Sequence, residues 1–192
     1  YGFDHIPYLA QKKIESIIIE ELEKIDCTQV SLPILQPASI WKDSGRWERY
    51  VSDGTMFVVD TKKAQYGLAP TAEEAVVKFA EKRLTSYKNL PVTFFQIGEK
   101  FRNELRPRGF LLRGKTFNMM DAYSFNSSES DLIETYNKIR EAYFNIFKKL
   151  GLTVFAVAAD NGAIGGKKSE EFMVLSEMGE DTILIDRATG KA

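Results

Sequence analysis

Two stretches of the chain repeat their apolar residues at helical spacing. Over Tyr8–Ile25, Leu9, Ile14, Ile17, Ile18, Leu22 and Ile25 share one face among Lys, Glu, Gln and Ser, which predicts an amphipathic helix. Between Ser128 and Gly151, Leu132, Tyr136, Ile139, Tyr143, Ile146 and Leu150 line one face in the same way, and Gly151 is placed to end that helix. A third helix is announced by its start. "PTAEEAVVKFAEKRL" opens with Thr71 and carries Glu74 three residues on, the arrangement of a capping box.

The stretches between these helices read as strands. In "TQVSLPILQP" Pro33 cannot donate to a ladder, which leaves a sheet edge, a bulge or the end of pairing there. "TMFVVDT" and "QYGLA" predict a short hairpin around Lys62 and Lys63. "VTFFQIGEKFRNE" and "KTFNMMDAYSF" predict a longer antiparallel pair closed by the turn "RPRG". "LTVFAVAA", "EFMVLSE" and "TILID" complete the strands. Helices set between mostly antiparallel strands make the predicted class α+β.

Alternation along the longer hairpin sorts its side chains. Lys100, Arg102 and Glu104 share a face on the first strand, and Arg113, Lys115, Phe117, Met119, Asp121 and Tyr123 share one on the second. Phe101–Phe117 alone holds five Lys and Arg residues against one carboxylate, Glu104. Guanidinium groups can grip phosphate or carboxylate oxygens, an aromatic ring can stack on a base, and a carboxylate can accept from an exocyclic amine. The set suits a nucleotide. An exposed hairpin laced by ion pairs has the same composition, and pattern alone leaves both readings open.

Composition narrows the field. The 192 residues suffice for one domain with a sizeable core, at 44% hydrophobic and 28% charged content. A net charge of -1 removes any global field for nucleic acid or membrane, so an anion site must be local. Cys27 and His5 are the single cysteine and histidine, which excludes a disulfide framework and a zinc cluster and points to a reducing compartment. No apolar run approaches the ~20 residues of a membrane span, and the first residues lack the layout of a secretion signal. The chain starts at Tyr1, as a processed chain or a piece of a longer one would.

"FRNE", the loop and "LLRGKTF" resemble motif 2 of the class II aminoacyl-tRNA synthetases: F-R-x-E, a variable loop, then R-x-x-x-F. With "VSLPILQPASIWKDSGRW", "PTAEE", "MMDAYSF" and "IGGKKSEEFMVL", nearly the whole chain resembles the bacterial or organellar type of prolyl-tRNA synthetase. The resemblance implies a class II catalytic core, a mostly antiparallel sheet flanked by helices, incomplete at its C-terminus. Residues 1–186 would be the N-terminal part of the catalytic domain, with motifs 1 and 2. Residues 187–192 would begin a connection to an editing insertion or the motif 3 region.

The implied reaction activates L-proline with ATP to prolyl-adenylate and transfers it to the 3' end of tRNA(Pro). Arg102 would hold the α-phosphate and the substrate carboxylate, Glu104 would read the adenine amine, Phe117 would stack on adenine, and Arg113 would reach the distal phosphates. Mg²⁺ would bridge those phosphates, with protein ligands unassigned. Thr71 and Glu73 match the loop that meets the imino group, and Met119, Asp121 and Tyr123 match positions lining the proline pocket. Thr71 also has a simpler reading as a helix cap, and Met119 as core filler. Such a pocket should reject alanine imperfectly, since each missing methylene is worth only ~1 to 3 kcal/mol.

"VSLPILQP" resembles motif 1, which implies a homodimer, and the expected location is the cytoplasm or an organellar matrix, with no membrane partner. Trp41, Arg46 and Trp47 suit either an interface or the core. Two positions depart from the family: Thr116 stands where a glutamate is usual, and Glu170 where a histidine is. Those departures leave a second reading, a noncatalytic relative kept for dimerisation or regulation. A third, a freestanding nucleotide- or RNA-binding module, is disfavoured by the lack of a basic stripe. The glycine-rich "DNGAIGGKKSEE" resembles a loop beside the family's active site, or an ordinary turn.

Overall fold

Asp4 sets the start of the first helix. In the computed structural model, which describes residues 2–159 and 169–186, its side chain accepts the His5 amide at 2.7 Å and α1 spans His5–Glu23. The helix therefore begins ahead of its apolar pattern, because an N-cap carboxylate satisfies a free amide at that point. Next come β1 (Cys27–Gln29), β2 (Leu35–Pro37), α2 (Ala38–Asp43), α3 (Trp47–Ser52), β3 (Phe57–Asp60) and β4 (Gln65–Leu68). They are followed by α4 (Glu73–Glu81), a short 3-10 turn at Tyr87–Asn89, β5 (Val92–Phe101), β6 (Thr116–Phe125), α5 (Glu129–Lys149), β7 (Val154–Ala158) and β8 (Glu170–Val174).

Pro33 marks the end of pairing. The stretch around it is two strands rather than one, and they join different sheets: β1 lies parallel to β5, while β2 pairs antiparallel with β4. The sheets run β1-β5-β6, β2-β4-β3 and β7-β8. All pairings except β1 with β5 are antiparallel, as the α+β reading requires. Lys62 and Lys63 do lie in the turn of the β3–β4 hairpin. "TILID" forms no strand: an apolar run needs a partner edge as well as propensity.

The described residues group into one compact unit through Ile139 and another from Arg140 onward. In the first, Trp41 and Trp47 are buried with Ala38 and Met56 in one apolar cluster, with Tyr50 packed against it; the core reading of both tryptophans holds. Gln36, fully buried, is satisfied by accepting from Trp41 Nε1 at 2.8 Å. A second cluster packs α4, through Val76 and Ala80, against Phe94 of β5, with Phe79 meeting the Phe94 ring edge-on at 5.3 Å. In the second unit the Phe172 ring sits among Tyr143, Phe144 and Phe147. Glu170 accepts there from Arg140 Nε at 3.1 and 3.3 Å. The 187–192 boundary and most of the glycine-rich stretch, residues 160–168, lie outside the described residues.

Candidate active site

The register of β5 against β6 sets the site. Phe94 stands opposite Tyr123, Gln96 opposite Asp121, Gly98 opposite Met119 and Lys100 opposite Phe117, all on one face by strand alternation. That face changes character along its length. Its far half, Phe94 with the rings of Tyr123 and Phe125, packs on α4, and its near half is polar. At Gly98 the space where a side chain would stand is open, with no atom within 4 Å.

Asp121 sits at the change. Its Oδ1 accepts from Lys100 Nζ at 2.8 Å, and its Oδ2 accepts from Gln96 Nε2 at 3.0 Å and from the Tyr123 hydroxyl at 2.7 Å. Lys100 is 2% exposed and Asp121 8%, a depth at which an unpaired charge is prohibitive and a paired one is tolerated. The Tyr123 oxygen in turn accepts the Ala72 amide at 3.0 Å, tying β6 to the turn that opens α4. Burial, then the nearby Glu73 and Asp121 carboxylates, push the Tyr123 phenol well above its usual range, so it stays a protonated donor.

The turn itself departs from the capping-box expectation. Ala72 is the N-cap and has no side-chain cap bond. The Thr71 hydroxyl donates to the Glu73 carboxylate instead. Glu74, buried, turns away to accept from Ser44 Oγ at 3.0 Å and Arg46 Nη1 at 3.4 Å. Tertiary partners outbid local ones here, and they gather the "SGRW" stretch beside "PTAEE". Tyr50 belongs to the same neighbourhood: burial first, then the charge of Glu73, raises its phenol, with Arg46 and Arg102 acting in the opposite sense.

Arg102 enters at the base of the hairpin loop. Its Nε donates to the Pro70 carbonyl at 3.1 Å, and its guanidinium carbon lies 5.3 Å from the Phe117 ring centroid. Backbone bonds from Phe101 to Ala69 and from Arg102 to Lys115, at 2.9 and 3.0 Å, hold this junction together. The loop reaches further than the strand pattern suggests. β5 ends at Phe101 and β6 begins at Thr116, so alternation does not position Glu104 or Arg113. They meet through the loop's own geometry: Arg108 and Arg113 exchange backbone bonds at 3.1 Å, and Glu104 Oε2 lies 4.0 Å from Arg113 Nε. Glu104 Oε1 also accepts the Arg106 amide at 3.0 Å.

Arg102, Phe117, Thr71, Glu73, Asp121 and Tyr123 thus lie on one face or on the turn bonded to it, Met119 stands beside the open space at Gly98, and Glu104 and Arg113 pair in the loop. Lys100, Gln96 and Tyr50 had no role in the sequence reading. Alternation had already placed Lys100 on the site face; what it lacked was the depth of burial. Chemically, the arrangement offers a guanidinium and an aromatic ring of the kind that suit a nucleotide, next to carboxylates of the kind that suit a small cation.

The family model of the tRNA synthetase class II core domain (G, H, P, S and T) matches residues 56–185, more than half of the chain. The chain belongs to the class II aminoacyl-tRNA synthetases. Within that class it is 49% identical over 187 residues to a proline–tRNA ligase of Prochlorococcus marinus, covering 96% of this chain and 31% of that protein. It is likewise 49% identical over 192 residues to a proline–tRNA ligase of a Geobacillus species, covering 100% of this chain and 34% of that one. The chain spans about a third of the length of these relatives. Its fold matches the Giardia lamblia prolyl-tRNA synthetase in complex with prolyl-adenylate, with a TM-score of 0.74 at 21% identity, over 81% of this chain and 32% of that one. It also matches the Cryptosporidium parvum enzyme complexed with L-proline and AMP, at 0.72 and 16%, over 86% and 34%.

Proposed function

We propose that the full-length protein is a proline–tRNA ligase, which activates L-proline with ATP to prolyl-adenylate and passes the prolyl group to the 3' end of tRNA(Pro). Residues 1–186 would form the N-terminal part of its catalytic core and 187–192 the start of a connection. One observation carries the reading: Arg102, beside Phe117, is bonded to the same turn, Pro70–Glu73, that presents Thr71 and Glu73. Nucleotide and amino-acid chemistry therefore share a junction. The close relatives named as proline–tRNA ligases support the choice of amino acid, as do the prolyl-adenylate and proline ligands of the neighbours in fold.

The chemistry follows from electrostatics. The substrate carboxylate attacks the α-phosphate and pyrophosphate leaves, so two anions must approach each other, and a fixed guanidinium lowers the cost by neutralising the charge that gathers there. Arg102 takes that role. Phe117 stacks on the adenine, Glu104 accepts from its exocyclic amine, and Arg113 meets the distal phosphates. For Glu104 and Arg113 this means exchanging their mutual contact for the nucleotide, a weak tie between largely exposed groups. Thr71 and Glu73 receive the secondary ammonium of proline, and Met119, Asp121 and Tyr123 bound the ring's pocket.

Mg²⁺ would enter with the nucleotide and supply charge neutralisation at its phosphates; no protein ligand is assigned. A homodimer through the motif 1 region is supported by exposed apolar residues on and before α1: Phe3, Ile6, Tyr8, Leu9 and Ile14. The proposed site of action is the cytoplasm or an organellar matrix. No helix among the described residues is long and apolar enough to cross a membrane.

The test is amino-acid-dependent exchange of pyrophosphate into ATP by the full-length protein. Exchange with proline, weaker exchange with alanine and none with serine is expected. Exchange that ignores proline would overturn the assignment.

A further inference from the structure

Lys100 is the only lysine or arginine among the buried described residues, and no role falls to it in the proposed reaction. Its ammonium lies 2.8 Å from Asp121, whose other oxygen receives Gln96 and Tyr123. Tyr123 then holds the Ala72 amide, between Thr71 and Glu73. A continuous chain of bonds runs from Lys100 to the turn. The same network reaches the other way, because Gln96 Oε1 accepts the Leu32 amide at 3.1 Å.

Two consequences follow. The first is geometric: Tyr123 can accept from Ala72 in a fixed direction only while its own proton points at Asp121. The second concerns charge. Asp121 and Glu73 both lie near the hydroxyl of Tyr123, so two like charges bear on one place and repel each other. Lys100, on the same face of the sheet, cancels one of them.

We propose that Lys100 is a positioning residue for amino-acid selection: by forming a buried neutral pair with Asp121 it fixes Tyr123 and the Thr71–Glu73 turn, leaving Glu73 as the carboxylate that receives the substrate's ammonium. Asp121 acts through Tyr123 rather than on the substrate's charge. The inference rests on the proposed ligase activity and adds what holds the Thr71–Glu73 turn in place.

The test uses full-length protein and steady-state pyrophosphate exchange, with proline and ATP varied separately. Lys100→Met is expected to raise KM for proline by about 10- to 100-fold, the scale of a buried polar group left without its partner, while KM for ATP changes little. Lys100→Arg keeps a cation beside Asp121, so its proline KM is expected to stay within a few fold of the unmodified protein, and it can be judged by itself if Lys100→Met does not fold. Glu73→Gln is expected to raise proline KM in the unmodified and the Lys100→Arg backgrounds. A proline KM unchanged in Lys100→Met, or raised about 10-fold or more in Lys100→Arg, would overturn the inference while leaving the ligase assignment intact. Absence of proline-dependent exchange in the unmodified protein would overturn both.

Discussion

The two ends of the β5–β6 hairpin are built on different terms. Within the ladder, Lys100, Gln96 and Asp121 are buried and, with the partly exposed Tyr123, satisfy one another. At the loop end, Leu105 and Phe110 are 81% and 80% exposed, Leu111 and Leu112 are nearly as open, and the Glu104–Arg113 pair stretches to 4.0 Å. The contrast follows the proposed substrates. A small ring that differs from its competitors by a methylene or two needs walls that do not yield, whereas a triphosphate brings its own charge and can organise loosely held arginines around itself.

The sharpest way to break this comparison is at the junction between the ends. Arg102→Ala is expected to lower proline-dependent exchange by ~10² to 10³-fold, the cost of one lost transition-state donor, with a thermal midpoint near that of the unmodified protein. Unchanged exchange would remove Arg102 from its assigned role. Next comes Tyr123→Phe, which leaves the Ala72 amide without its acceptor and Asp121 without one of its donors; a loss of about 1–3 kcal/mol in unfolding free energy is expected from urea titration.

A pH series tests the burial of three weak acids, one of them in the hairpin. Burial raises the Tyr123 and Tyr50 phenols from an ordinary value of 10.0 and the Cys27 thiol from 9.0 to about 11. A raised acid binds its proton more tightly in the folded state, so its contribution is fully present below the unfolded value and is lost as pH climbs through the folded one. Stability is therefore expected to fall as pH rises from 9 to 11, measured as the urea midpoint. The fall should be shallower in Cys27→Ala, and a midpoint flat over that range would contradict the burial of these groups. The smallest effect belongs to the loop: Leu111→Ser should move stability by no more than ~0.5 kcal/mol, and a larger loss would mean that the tip packs against something.

The long hairpin and the faces of its two strands follow from alternation, because both strands are ten residues long and strictly paired; the register itself is a finding of the structure. Alternation fails where pairing stops, so Arg102, Glu104 and Arg113 are legible as types and as family positions but not as geometry. The capping box misleads for a different reason. Thr71 and Glu74 have the right spacing, yet Glu74 is drawn to Ser44 and Arg46, partners that no local rule could see. Lys100 was visible on the correct face. Its importance lies in its burial beside Asp121, a depth that alternation along one strand does not give.

The break at Pro33 also bears on how the molecule is made. Cys27, Thr28 and Gln29 find their ladder partners only at Thr93, Phe94 and Phe95, and Leu32 is held by Gln96. As the chain leaves the ribosome, β1 has no edge to join until the first strand of the long hairpin has emerged, while the neighbouring β2-β4-β3 sheet can close on residues already made. Helix α1, which packs on β1, must wait with it, its apolar side uncovered. Contacts this distant in sequence form late, so a nascent chain halted before Val92 would be the form most exposed to capture by chaperones.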